Sequence, residues 1–171
     1  MFHNLKGYDM HHILKYGLSH MTDWTISCIP NTEEKFSALF VHTQGVRVRF
    51  IDSYAFVNAS LAESVKNLHS IPITQRLMGD NNVTKSKGIF PYDFATSMEV
   101  LQTTTELPPI WGDVTPAEYA EAQRCWTDSE CRTLLDYMLV YLKLDVLLLA
   151  DVFFQFQQKT ISHNKLEPLN F

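Results

Sequence analysis

The sequence predicts a mixed α/β domain. Three observations carry that expectation. A chain of 171 residues suits one domain with one core. The run Val46–Phe50 alternates apolar and basic residues with a period of two. Around Asp145, from Met138 to Phe156, apolar residues recur at helical spacing.

The elements follow in chain order. Asp9 stands before Ile13, Leu14 and Leu18, whose spacing predicts a helix that Gly17 and Ser19 end. Ile26 to Pro30 should be extended, because the residue before a proline is steered that way. Phe36–Val41 and Val46–Phe50 are two β-rich runs, and the intervening turn makes them a hairpin. In the second run Val46, Val48 and Phe50 alternate with Arg47 and Arg49, so one face is expected to be wet, and the strand can continue to Tyr54. Ser60 with Glu63 three residues on is a capping-box pattern that opens a helix. Ile71 to Pro109 is rich in Pro and Gly and reads as irregular, the kind of long stretch that is usually functional. Thr115 followed by Pro116 starts a helix that should run, with a bend near Thr127–Glu130, to about Gln158.

Composition narrows the function classes. The hydrophobic fraction is 46% and the charged fraction 19%, as in a globular chain. No apolar run is long enough to span a bilayer, and no secretory leader opens the chain. The three cysteines Cys28, Cys125 and Cys131 form neither CxxC nor a zinc pattern, so reduced thiols and an intracellular setting are expected. A net charge of −5 argues against a dedicated duplex-DNA binder. It suits an enzyme that gathers carboxylates around metal ions.

Asp145 is the most informative residue. On a wheel of the last helix, Met138, Leu149, Val152 and Phe156 fall within about 40° of it. Leu142 and Leu148 fall within about 60°. A lone carboxylate in such a stripe is expensive unless something pairs with it or is coordinated by it. Asp136 and Asp151 point away from the stripe and read as surface charges. Tyr141, one turn earlier, shares the face of Asp145. A bond from the carboxylate to a buried Arg or a backbone donor is the alternative explanation. At the other end, Gly7 allows close backbone approach, and Asp9 sits where a plain N-cap would. His11, His12 and His20 read as helix-surface or packing residues.

Asn4-x-x-x-Tyr8-Asp9, followed far downstream by Tyr141-x-x-x-Asp145, resembles the second and third exonuclease motifs of family B DNA polymerases. The words HNLKGYD, IPNTEEK, RFIDS, KGIFPYDF and YLKLDVLLLADVF resemble the protein-primed members, found in viruses, linear plasmids and mobile elements. The likeness runs from Phe2 to about Phe156. It implies a ribonuclease H-like 3′–5′ exonuclease fold, with a mixed sheet flanked by helices and incomplete at its N-terminal edge.

The resemblance also implies roles. Asp9 and Asp145 would be metal-ligand carboxylates for Mg²⁺ or Mn²⁺, two ions being held about 3.5–4 Å apart in this class of hydrolysis. Tyr141 would orient the attacking water. Lys87, within Lys87-Gly88-Ile89-Phe90, would position the scissile phosphate, and Lys85 competes for that role. Asn4 and Tyr8 would hold a single-stranded 3′ end. Ser60 and Leu61 match a motif that contacts single-stranded DNA and a terminal-protein primer, although Ser64 stands where the motif has a hydrophobic residue and Ser60 can equally be a cap. Apart from the resemblance, Tyr8, Tyr54 and Phe56 can serve as stacking platforms for single-stranded bases, although core packing is the more frequent fate of such aromatics. The family's first motif, Asp-x-Glu, belongs upstream of Asn4, where only Met1, Phe2 and His3 stand, and no polymerase palm follows. The expectation is therefore one partial exonuclease domain over residues 1–171 that is inactive by itself. A non-catalytic fragment that binds single-stranded DNA or terminal protein is the alternative, and an unrelated α/β domain with a structurally paired Asp145 is a third.

Overall fold

A computed structural model describes residues 1–5, 9–18, 20, 23–30, 36–79, 86–109 and 111–168. Gly7, Tyr8 and Lys85 lie outside these described residues. The chain forms two compact units, Met1–Ser60 and Leu61–Phe171. Strands and helices together make it a mixed α/β structure.

In the first unit a short helix α1, Asp9–His12, widens into a π-helical segment, Ile13–Leu18. Three strands follow among the described residues: β1 Thr25–Pro30, β2 Phe36–Thr43 and β3 Val46–Phe50. They are antiparallel in the order β1-β2-β3. The hairpin read from the sequence is present, closed by Gln44 and by Gly45, whose φ of 89° is open to glycine at no steric cost. Leu39 and Val41 of β2 are buried with Leu5 and Met10, and Trp24, Phe50 and Phe2 complete this small core.

The last strand stops at Phe50 instead of running to Tyr54. The buried carboxylate of Asp52 accepts the Tyr54 amide at 3.0 Å and turns the chain into a 3₁₀ segment, Ser53–Ala55. Beside it, Phe2 makes a parallel bridge to Asp52 through a 2.9 Å bond from its own amide to Ile51 O and a 2.8 Å bond from the Ser53 amide.

The second unit is helical: α2 Leu61–Lys66, α3 Pro72–Met78, α4 Met98–Thr103, α5 Pro116–Asp128 and α6 Leu134–Asn164. The stretch from Ile71 to Pro109 is thus less irregular than its Pro and Gly content predicts. Ser97 caps α4 by accepting from the Val100 amide. The buried Asp151 of α6 does the same for α3 from a distance. It accepts the amides of Ile73 and Thr74, each at 2.9 Å, and the Thr74 hydroxyl at 2.6 Å.

The helix from Thr115 begins as expected, with a complete capping box between Thr115 and Glu118. It does not bend and continue. It ends at Asp128, Glu130 turns left-handed with φ 53°, and the Cys131 amide closes on Trp126 O at 3.0 Å. A second capping box, Thr133 with Asp136, then starts α6, which runs past Gln158 to Asn164. Amides of Arg132 and Thr133 hold the Asp136 carboxyl below the usual carboxylate range.

The inner side of α6 is also rotated from the expected stripe. Leu134, Tyr137, Tyr141, Leu144, Leu148, Asp151 and Val152 are buried, whereas Leu142 and Val146 are exposed. Asp151 is therefore interior, at 1% exposure, and not the surface charge its wheel position suggested. The reason is that α6 is apolar on nearly every side, so hydrophobicity alone chooses no face. Partners do.

Removing the Asp151 carboxylate strands two backbone donors in a dry place. Asp151→Ala should cost at least roughly 2–3 kcal/mol, well above the ~1 kcal/mol expected for loss of the Thr133 cap. Urea unfolding of both variants checks this ordering; an Asp151→Ala loss no larger than the cap's would remove the clamp from the account.

Candidate functional site

The second unit brings Lys87, Tyr141 and Asp145 together. Asp145 projects from α6 at the margin of its buried face, with 23% of its side chain exposed. Lys87 lies in the segment without regular structure before Phe90, and its Nζ stands 3.7 Å from Asp145 Oδ2 and 5.9 Å from the centre of the Tyr141 ring. Gly88 makes the close approach possible, since a Cβ there would meet Tyr141 Cδ2 at 3.3 Å. Tyr137 anchors the same segment by donating to Ile89 O at 2.8 Å. The ring of Phe90 packs against Tyr141 and Tyr137.

Two phenols and two charges then set the electrostatics. Tyr92 donates to the Tyr141 hydroxyl at 3.0 Å. The Tyr141 hydroxyl, one turn before Asp145, acts on its carboxyl and favours the charged form. Burial, first, and then the Tyr92 bond and the charge of Asp145 push the Tyr141 phenol far up, so it keeps its proton. Burial also raises the Asp145 carboxyl, and the Lys87 ammonium and the Tyr141 hydroxyl only partly oppose it. One oxygen, Asp145 Oδ1, is buried with no hydrogen-bond partner. A half-buried carboxylate with a bare oxygen is suited to a hard cation. Among the described residues no three His, Cys, Asp or Glu side chains gather to hold an ion by themselves.

A sequence model described as DNA polymerase type B, organellar and viral, matches residues 1–166. The chain belongs to this family of DNA polymerases. Comparisons with curated proteins and with solved structures give no match. Membership makes DNA the substrate class and divalent metal ions the general cofactor of the family's chemistry. The bare Oδ1 of Asp145 fits such an ion. No helix among the described residues is long and apolar enough to cross a membrane.

The other expected positions of this polymerase chain lie as follows. Asp9 is exposed and opens α1, in the first unit, whereas Asp145 belongs to the second. Asn4 is exposed in the left-handed region, φ 64°, and its amide donates to Asp52 Oδ1 at 2.9 Å. His3 Nδ1 is 3.0 Å from Ser53 Oγ, and its ring meets Tyr54 edge-on. Ser60 is exposed, and Leu61 is buried with Val65, Leu144, Leu148 and Val152. Phe56 is half-buried. His11, His12 and His20 are all exposed.

Sequence reasoning missed Asp52 and Tyr92. Both stood inside quoted motif words, RFIDS and KGIFPYDF. The signal for Asp52 was a carboxylate directly after an apolar strand. Tyr92 gave none, because its partner lies far off in the chain.

The Asp145 environment yields a stability prediction with a sign. Its carboxyl is raised in the folded chain, so the native state binds the proton more tightly than the unfolded state. The buried charge therefore weakens the fold once pH exceeds the carboxyl range, and not below it. Asp145→Asn in chelator should leave stability unchanged or raise it by about 0.5–2 kcal/mol at neutral pH. The gain should fade as pH falls through the carboxyl range. Urea unfolding at neutral and acidic pH measures it. A loss of roughly 3–5 kcal/mol would instead mark a structural carboxylate.

Proposed function

We propose that this chain is the 3′–5′ exonuclease region of a protein-primed family B DNA polymerase, a single domain of ribonuclease H-like ancestry. One observation carries the reading. Lys87 and the Tyr141–Asp145 pair were picked from distant motifs, and they meet at a carboxylate whose other oxygen lacks a partner.

Asp145, through its partnerless Oδ1, and by the motif Asp9 would be carboxylates that hold metal. Held there, two divalent ions, Mg²⁺ or Mn²⁺, would supply an activated water and neutralise charge on the attacking and leaving oxygens. The chain's own groups do the rest. Tyr141 stays a phenol and donates a hydrogen bond, so it can orient a water without taking its proton. Lys87 carries a positive charge that can pass from Asp145 to a non-bridging phosphate oxygen. Asn4 and Ser60 are exposed and can receive a single-stranded 3′ end, a role that the Asn4-x-x-x-Tyr8 motif assigns to Tyr8 as well. Leu61 acts through packing, since it is in the core. A terminal-protein primer is the proposed protein partner near Ser60.

Paramagnetic Mn²⁺ tests the site directly. Titrated into the chain with a short single strand bearing a free 3′ end, it should broaden Tyr141 and Lys87 resonances selectively. Asp145→Asn should abolish the effect. Uniform broadening, or broadening that survives in Asp145→Asn, would sink the assignment.

A further inference from the structure

The sheet of the first unit has a second side that the exonuclease reading does not use. Cross-strand partners lie on one face of a sheet. Ser27 pairs with Phe40 and Phe40 with Arg49, while Thr25 pairs with His42 and His42 with Arg47. The neighbouring residues Leu39 and Val41 point the other way, into the core. The face opposite the core is thus built from Phe40, His42, Arg47 and Arg49, with Thr25 and Ser27 at its β1 edge.

These side chains form a ladder of flat groups. The Phe40 and His42 rings stack at 6.4 Å and 25°. The Arg49 guanidinium lies 5.7 Å from the centre of the Phe40 ring. Ser27 Oγ touches His42 Nε2 at 3.4 Å. Arg47 is exposed beside them. At the hairpin end the face opens into a hollow of about 410 Å³, lined by Thr25, His42, Gly45 and Arg47, with Asp23 also on its wall.

Charge points to the occupant. β1, β2 and β3 contain no Asp or Glu, and their two charged residues, Arg47 and Arg49, stand on this one face. Residues 1–60 hold as many Lys and Arg as Asp and Glu, so the formal −5 falls wholly on residues 61–171. A cationic face in an acidic chain is selective for an anion. Planar rings and guanidinium groups between the cations favour an anion with unstacked bases.

We infer that the Phe40–His42–Arg47–Arg49 face is a binding surface for single-stranded DNA, separate from any 3′-end site. It takes backbone phosphates on the two arginines and bases on the ring ladder. It rests on the family's DNA substrate and not on the exonuclease assignment.

The probe is a labelled circular single strand, which has no 3′ end, bound by the full chain in chelator. Arg47→Gln/Arg49→Gln should weaken binding about tenfold or more and reduce the slope of log affinity against log salt by about 1.4. Arg47→Lys/Arg49→Lys should recover the slope but not the whole affinity, because an ammonium does not stack as a guanidinium does. If Arg49→Gln disturbs folding through Phe40, exposed Arg47→Gln alone should take about 0.7 from the slope. Unchanged affinity and slope would overturn the proposal, and so would an equal loss on blunt duplex. Failure here leaves the Mn²⁺ result untouched, so the two readings fall separately.

Discussion

Asp151 settles an ambiguity that α6 cannot settle alone, and the arrangement of the second unit depends on it. A helix that is apolar on nearly every side can bury any of several faces at similar gain. Once the Asp151 carboxyl accepts three hydrogen bonds from the start of α3, the rotation of α6 is fixed, because a buried polar group tolerates no orientation that leaves it without partners. That rotation puts Tyr137, Tyr141, Leu144 and Leu148 inside. It leaves Asp145 at the margin, near enough to the interior to lose water and near enough to the surface to meet Lys87.

The site is therefore a compromise between desolvation and pairing. Were Asp145 fully exposed, its carboxylate would be well hydrated and a weak hold for any ion. Were it as buried as Asp151, its charge would need a full set of donors and would have no oxygen to spare. At the margin, the ion pair with Lys87 and the nearby Tyr141 hydroxyl recover part of the lost hydration and leave Oδ1 bare. The Tyr92 hydroxyl donates to that of Tyr141, which leaves the Tyr141 hydrogen free to turn elsewhere.

A carboxylate organises the first unit too. Asp52 ends β3, turns the chain and holds the amide of Asn4 in a left-handed conformation. The exposed position of Asn4 is thus set by a buried acid from across the unit. Asp52 and Asp151 have the same use, to terminate backbone at a chosen place, and neither needs an ion to do it.

Much was legible in the sequence because it rests on local physics. The β2–β3 hairpin follows from alternation and a Gly turn. The start of α5 follows from Thr115 and Pro116, and the family from motif words in order. Lys87, Tyr141 and Asp145 were each singled out through resemblance, but the ion pair between Lys87 and Asp145 was not foreseen. What only the tertiary structure decided are the long-range choices. These are the break between α5 and α6, the two short helices within 71–109, the inward side of α6 and the partners of Asp151, Asp52 and Tyr92. A helix wheel weighs each side chain by its affinity for water. Asp136, Asp145 and Asp151 are equal by that measure, and only the donors that folding brings to them make one a cap, one a clamp and one a candidate ligand.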